Sequence, residues 1–565
     1  MSLRKLSWIL LLVLTSFAAI AQQPVSPPMT ADVLFTHARI LDGTGNPWFL
    51  GDVAVKGDRI VFVGDSQRAN VIARRTIDAQ GLYLAPGFID LHTHAAAGLS
   101  DPKRKENVNY LMQGVTTVAT GNDGNSPWPI QQTLERWERD GIGTNVALYV
   151  GFGTVRRQVI KSTTGGQTPS AGENPLEQAA PSSENRAATP DEIDRMRALI
   201  RQGMREGAIG MSTGLFYVPQ SFTKTDEVVA VAQAAAELGG VYDTHLRDED
   251  SYNIGVRAAV AEAIEIGRRN HMPAMISHIK CLGREAWGCS KDVIAMIDRA
   301  REDGINVVAN QYPYEASGTA LEAAVMPNWA MEGGREKFLA RLADPVQRQK
   351  MLNEIPALIT KRGGPETLVI VSYAADRSLQ GRSLDEIAKA WNLPPNETVL
   401  KILEKGGTSV VSHNMTESDI VALMRQDWTA TGSDGESALP GVLVHPRGFG
   451  TFAVKIQKYV NADKVITLPF AIRAATSLPA QIAGFADRGV VRAGNFADLI
   501  VFDPAKVASP ATYTNPSVYA QGMVDVMVNG QFAIENGQPT HALAGRALRG
   551  PASGKQLSAS AAARP

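Results

Sequence analysis

Four of the nine histidines in this 565-residue chain stand where an apolar run gives way to polar residues. His92 and His94 form a His-x-His pair after Phe88-Ile89-Asp90-Leu91. His245 closes Val241-Tyr242-Asp243-Thr244, and His278 closes Ala274-Met275-Ile276-Ser277. Residues i and i+2 of a strand point to the same side, so both imidazoles of the pair can reach one cation. Two aspartates occupy equivalent places: Asp123 just after the run 115–120, and Asp434 after Ala430-Thr431-Gly432-Ser433. Any one of these histidines alone is more often a hydrogen-bonded rim residue than a ligand. All six together describe a divalent-metal site. Nitrogen and oxygen donors without an evident thiolate suit Zn²⁺ best, with Mn²⁺, Ni²⁺ or Fe²⁺ as alternatives. Such a site calls for an activated water rather than a covalent nucleophile, because a bound cation lowers water's pKa and polarises an amide carbonyl. Asp434 can then take the water's proton and return it to the leaving nitrogen, beside its simpler roles as ligand or helix cap. Arg447, a planar fork thirteen residues on, can hold a substrate carboxylate.

The elements that must position these residues alternate along the chain. Near-continuous apolar runs at 85–91, 115–120, 145–150, 207–211, 240–244, 272–277, 305–311 and 429–432 are separated by helical stretches. This is the pattern of a parallel sheet buried on both faces. Eight such strands suit a closed (β/α)₈ barrel, whose strand exits ring one face and gather distant residues there. A doubly wound open sheet is the competing arrangement. Thr189-Pro190-Asp191-Glu192 and Ser383-Leu384-Asp385-Glu386 are helix starts, with a capping hydroxyl three residues before a glutamate. Two further runs, 368–372 and 408–412, leave the strand count open, and the region from about 321 to 408 reads as containing an insertion. Short strands at 31–40, 51–55 and 59–63, with a reversal at Lys56-Gly57-Asp58, precede the barrel, and similar β segments return over 494–537. The two sets can pair into a small β-sandwich. The expected division is a signal peptide over 1–21, the β domain over 22–84 and 488–550, the barrel over 85–487, and a flexible tail over 551–565. Residues 161–188, rich in Gly, Pro, Ser and Thr, read as a surface insertion or a loop over the barrel mouth.

Composition narrows the field. A net charge of −1 supplies no basic field for nucleic acid, and no basic-aromatic tract is present. Arg4 and Lys5, the apolar run 6–18 and Ala19-Ile20-Ala21 form a secretory signal with Gln22 as the first mature residue. No later segment holds 18 consecutive apolar residues, so no stable membrane span is expected after cleavage. The partner is expected to be a small molecule, and nothing in the composition fixes an oligomeric state. Cys281 and Cys289 could join if the destination is oxidising, or stay as free thiols.

The chain resembles the amidohydrolase superfamily, and within it the N-acyl-D-amino-acid deacylase branch. The resemblance lies in Pro86-Gly87-Phe88-Ile89-Asp90-Leu91-His92-Thr93-His94, Gly114-Val115-Thr116-Thr117-Val118 and Gly214-Leu215-Phe216-Tyr217. It continues in Thr244-His245-Leu246-Arg247, Ile276-Ser277-His278 with Lys280, Tyr312-Pro313-Tyr314, Gly432-Ser433-Asp434-Gly435 and His445-Pro446-Arg447. It implies that His92 and His94 serve one metal position and that His245 and His278 hold another. It also implies that Asp434 is the acid/base, and that Lys280, Arg447, Tyr217 and one of Tyr312 and Tyr314 face the substrate. The substrate it implies is an N-acyl-D-amino acid or a dipeptide containing a D-residue. Two departures stand out: Asp123 occupies the place of a family cysteine in a Gly-Asn-Cys-Gly setting, and Phe152 that of a histidine. His413 matches no family role. A cyclic-amide hydrolase of the dihydropyrimidinase type is the nearest enzymatic alternative. A catalytically disabled barrel acting as a binding protein is the non-enzymatic one.

Overall fold

A computed structural model describes residues 28–162 and 185–554. The expected signal peptide, most of the 161–188 segment and the tail beyond 554 lie outside these residues.

The chain opens with β1 (Met29–Ile40), β2 (Phe49–Lys56), β3 (Arg59–Gly64), β4 (Val71–Asp78) and β5 (Tyr83–Pro86). The eight expected barrel strands follow, interrupted twice. They are β6 (Phe88–Asp90), β7 (Val115–Thr120), β8 (Asn145–Leu148) continued after Tyr149 by β9 (Val150–Gly151), β10 (Gly210–Gly214), β11 (Val241–His245), β12 (Ala274–Ile276) and β13 (Val307–Gln311). Then come β14 (Ala316–Ala320), β15 (Leu368–Ser372) and β16 (Ser409–His413), before β17 (Thr429–Thr431) supplies the last barrel strand. The chain ends in β18 (Leu499–Phe502), β19 (Met523–Val528), β20 (Gln531–Glu535) and β21 (Gln538–Pro539).

All barrel pairings are parallel, β6-β7-β8 on one arc and β9-β10-β11-β12-β13-β17 on the other. The barrel closes at the strand exits: His94 N donates to Gly435 O (2.7 Å) and Asp434 N to His92 O (2.9 Å). An open sheet is thereby excluded, and the closing seam is the segment that bears three of the candidate site residues. Strands and outer helices pack continuous apolar layers, among them Val115, Val118, Met211 and Tyr242 in one cluster and Ile276, Val307, Ala309 and Ala430 in another. Both expected helix starts carry full capping boxes, Thr189 with Glu192 and Ser383 with Glu386.

One expectation is corrected. The run 85–91 is not one strand. Its first half, β5, pairs with β18 in the small β domain, and only β6 enters the barrel. Gly87 makes the switch: a Cβ there would meet the Thr116 side chain at 2.3 Å. The small β domain is built from both chain ends, as expected, with nine strands in one hydrogen-bonded network whose inner face packs Phe35, Val53 and Ile60 with Leu499, Val501 and Met527. A bulge between Phe35 and Ala38, where His37 has φ 57°, divides the edge of β1 between β4 and β5. β4 itself was not expected, since its mostly exposed face, including Arg74, Arg75 and Thr76, hides the alternation of a strand. The runs at 368–372 and 408–412 are strands outside the barrel. They form an antiparallel sheet with β14 that caps an insertion with its own core of Leu321, Phe338, Met351, Ile355, Leu384 and Val399.

Candidate active site

Several barrel strands end in a sharp reversal. Asp123, His278 and Asp434 take left-handed backbone conformations (φ 55°, 39° and 52°), a region open chiefly to glycine and more readily to Asp, Asn and His than to branched residues. Strain of this kind concentrates at functional sites. The reversals bring the six expected ligands together.

Asp123 sits among the four imidazoles. Its Oδ1 lies 3.5 Å from His92 Nε2, 3.8 Å from His278 Nε2 and 4.0 Å from His245 Nδ1, and its Oδ2 lies 3.6 Å from His94 Nε2. Asp434 Oδ1 faces His94 Nε2 at 3.1 Å and His92 Nε2 at 3.6 Å. Bonds of about 2.0–2.2 Å at tetrahedral angles place ligand atoms roughly 3.3–3.6 Å apart. The spacing around Asp123 therefore fits donors arranged around ions, while His94 Nε2 with Asp434 Oδ1 (3.1 Å) and His245 Nδ1 with His278 Nε2 (2.9 Å) also stand at hydrogen-bond distance. Both ring nitrogens of fully buried His92, and Asp123 Oδ1, have no hydrogen-bond partner. Buried polar atoms left bare in this way cost stability unless something else meets them. Three ligand groups satisfy the geometry of an ion: His92-His94-Asp123, Asp123-His245-His278 and His92-His278-Asp434. The residues present fit a divalent metal, with Asp123 common to the first two groups.

Around this centre, His278 Nδ1 faces Lys280 Nζ (2.7 Å) and Glu249 Oε1 (3.1 Å). Lys280 and Glu249 are themselves paired at 2.6 Å. Burial alone would raise the Glu249 carboxyl, but Lys280 and the two histidines hold it well below its usual value. Arg447 Nη1 lies 2.6 Å from Asp434 Oδ2. Burial opposes ionisation of Asp434 too, yet Arg447 and His278 keep its carboxyl far below the ordinary range. Asp90, receiving the backbone N–H groups of His92 and Ser433, braces the closing seam, and burial lifts it to about 7.

A cleft opens over these groups, lined by His94, Asp123, His245, His278 and Asp434, and by Tyr217, Lys280, Tyr312 and Arg447. The Arg447 guanidinium stands 5.0 Å from the Tyr312 ring centre. Tyr314 does not line this cleft; it packs behind, on His445 and Tyr513. Phe152 is buried in the main apolar core at the start of the helix Phe152–Ser162 and offers no ligand. His413 ends β16 against Tyr513, away from the metal ligands. Cys281 and Cys289 are joined as a disulfide, so the free-thiol alternative falls. Two charged residues of the cleft escaped the sequence reading: Glu249 and Arg362. Spacing gave a faint sign of the first, four residues after His245; nothing in the sequence marked the second.

A closed parallel barrel with its histidines and aspartates at the strand exits defines a metal-dependent hydrolase of the amidohydrolase type. Residues 75–149 and 179–534 match the amidohydrolase family, and the chain belongs to it. It is 32% identical to a D-aminoacylase of Alcaligenes xylosoxydans xylosoxydans, over 92% of this chain and 97% of that one. An N-acyl-D-aspartate deacylase of the same organism is 33% identical, over 89% and 92%. The fold matches the crystal structure of N-acyl-D-glutamate deacylase from Bordetella bronchiseptica, complexed with zinc and a phosphonate inhibitor. The TM-score is 0.74 with 28% identity, over 92% of this chain and all of that one. A dihydropyrimidinase from Brevibacillus agri, 14% identical with a TM-score of 0.52, shares the fold alone.

Proposed function

We propose that this protein removes the acyl group from N-acyl-D-amino acids, with Zn²⁺ as its ion. One observation supports this reading above the others. A single carboxylate, Asp434, turns one oxygen to the histidines and the other to Arg447. It joins metal centre, proton carrier and carboxylate receptor through one close side-chain contact on each side. The bound ion supplies a lowered water pKa and a polarised amide carbonyl. Asp434, kept ionised by Arg447, takes the water's proton as the oxygen adds to the carbonyl carbon. It delivers that proton to nitrogen as the C–N bond breaks, so that the amine leaves neutral. Arg447 and Lys280 favour the substrate's α-carboxylate, and Tyr312 and Tyr217 form the walls that orient it. Glu249 fixes Lys280 and the His278 ring.

The disabled-barrel alternative needs a broken constellation, and the convergence of all six candidate side chains speaks against it. The cyclic-amide alternative needs a site without a receptor for a free carboxylate, and Arg447 lines the cleft. The test is a panel of matched D- and L-acylamino acids assayed on protein of measured metal content. Turnover of the D series, abolished by a chelator and restored by Zn²⁺, is expected. Failure on both enantiomers with turnover of a hydantoin or dihydropyrimidine would overturn the reading.

Export is part of the proposal. The charged, apolar and small-x-small segments of 1–21 support it, and so does a disulfide, since such bonds persist in oxidising compartments. Expression of the full chain should yield a mature N-terminus at Gln22 in the extracytoplasmic fraction. An intact Met1 on active protein retained in the cytoplasm would refute export.

A further inference from the structure

The cleft is lined by three cations, and two are already matched: Lys280 by Glu249 and Arg447 by Asp434, each at 2.6 Å. The third is Arg362. It comes from the insertion, as the residue that ends the helix Pro345–Lys361. Its neighbour Lys361 ties that helix end to the loop after β11, donating from Nζ to Ser251 O at 2.5 Å. The packing there is close, since a Cβ on Gly283 would meet Asp250 Oδ2 at 2.0 Å and Lys361 O at 2.9 Å. Arg362 is thus held in place, 2% exposed.

Its guanidinium lies 5.2 Å from the Tyr252 ring centre and 5.9 Å from that of Phe216, and the Phe216 ring is 5.6 Å from His245. One aromatic ring therefore separates it from a metal-site histidine. Its Nε has no hydrogen-bond partner, and among the described residues no carboxylate stands within ion-pair distance. Asp250 is close enough to feel its charge, but burial and Asp248 lift that carboxyl to about 7, so it balances the guanidinium incompletely. Cation–π contacts with two rings recover only part of the cost of burying a guanidinium. A planar fork facing a cleft without a counter-charge is the arrangement that receives a carboxylate by two parallel hydrogen bonds.

We propose that Arg362 receives a second carboxylate on the substrate, making dicarboxylic acylamino acids the preferred class. This rests on the deacylase reading. The acid group could sit on the amino-acid side chain or at the far end of the acyl group, and the substrates tested separate the two. N-acetyl-D-glutamate carries it on the side chain and N-succinyl-D-leucine on the acyl group. N-acetyl-D-glutamine and N-acetyl-D-leucine carry neither.

The parent protein should favour one of the dicarboxylic substrates over its neutral counterpart by about 10- to 100-fold in kcat/KM, chiefly through KM. Arg362→Gln should remove that preference while changing the neutral substrates by less than about threefold. Arg362→Lys, which keeps the charge without the fork, should retain part of it. Metal content and melting temperature of each variant guard against misfolding. An equal loss on neutral and dicarboxylic substrates, or no dicarboxylic preference in the parent, would overturn the inference alone. Hydrolysis of none of the four by the metal-loaded parent would overturn the deacylase reading, and this inference with it.

Discussion

Asp434→Asn should lower kcat for N-acyl-D-amino acids by about 10³-fold, within the range that positioned proton transfer contributes, and leave most of the metal bound. Asparagine matches aspartate in size and can still place an oxygen toward His94 and His92, now 3.1 and 3.6 Å from Oδ1. It cannot accept a proton from water or hand one to a leaving amine. It also leaves Arg447, buried and 2.6 Å from Oδ2, without its counter-charge, and KM will move for that reason. The chemistry is therefore read from kcat at saturating substrate, with metal measured on the same sample. If Asp434 were only a ligand, the lost turnover would track lost metal and return when metal is added. Ordinary turnover in the variant would remove the proton-carrier role altogether.

How much of this could be read from the chain depends on how local each signal is. The four histidines and two aspartates were legible because each follows an apolar run, and barrel geometry then converges them. Tyr312 and Tyr314 share a face by spacing. Yet only Tyr312 lines the cleft, because the chain has already left β13 and Tyr314 turns back to pack on His445. Glu249 lies in the run Arg247-Asp248-Glu249-Asp250, where nothing local separates a residue that braces a histidine from its charged neighbours. Arg362 was invisible for a stronger reason. It belongs to an insertion with a separate core, and its place beside Phe216 exists only once the helix end docks on the loop after β11. Strand β5 misled through continuity, since the apolar run 85–91 serves two sheets, with Gly87, where a Cβ would meet Thr116, between them.

The departure at Asp123 leads to the second large effect. Among the described residues this carboxylate is the one group whose oxygens approach all four imidazoles, at 3.5–4.0 Å. Its removal would take the central carboxylate from the four imidazoles, leaving Asp434, on which Arg447 already draws, and Glu249, on which Lys280 already draws, as weaker substitutes. Asp123→Ala should weaken metal binding by roughly 100-fold or more and reduce turnover with it, since loss of even supporting groups costs about 10- to 100-fold. Asp123→Cys should restore binding but change its order. A thiolate is softer than a carboxylate, so the variant should favour Zn²⁺ over Mn²⁺ more strongly than the parent does. Equilibrium dialysis against equimolar Zn²⁺, Mn²⁺ and Ni²⁺, followed by metal analysis of all three proteins, measures both effects. Undiminished metal and turnover in Asp123→Ala would mean that the histidines alone hold the centre and that Asp123 merely fills the space between them.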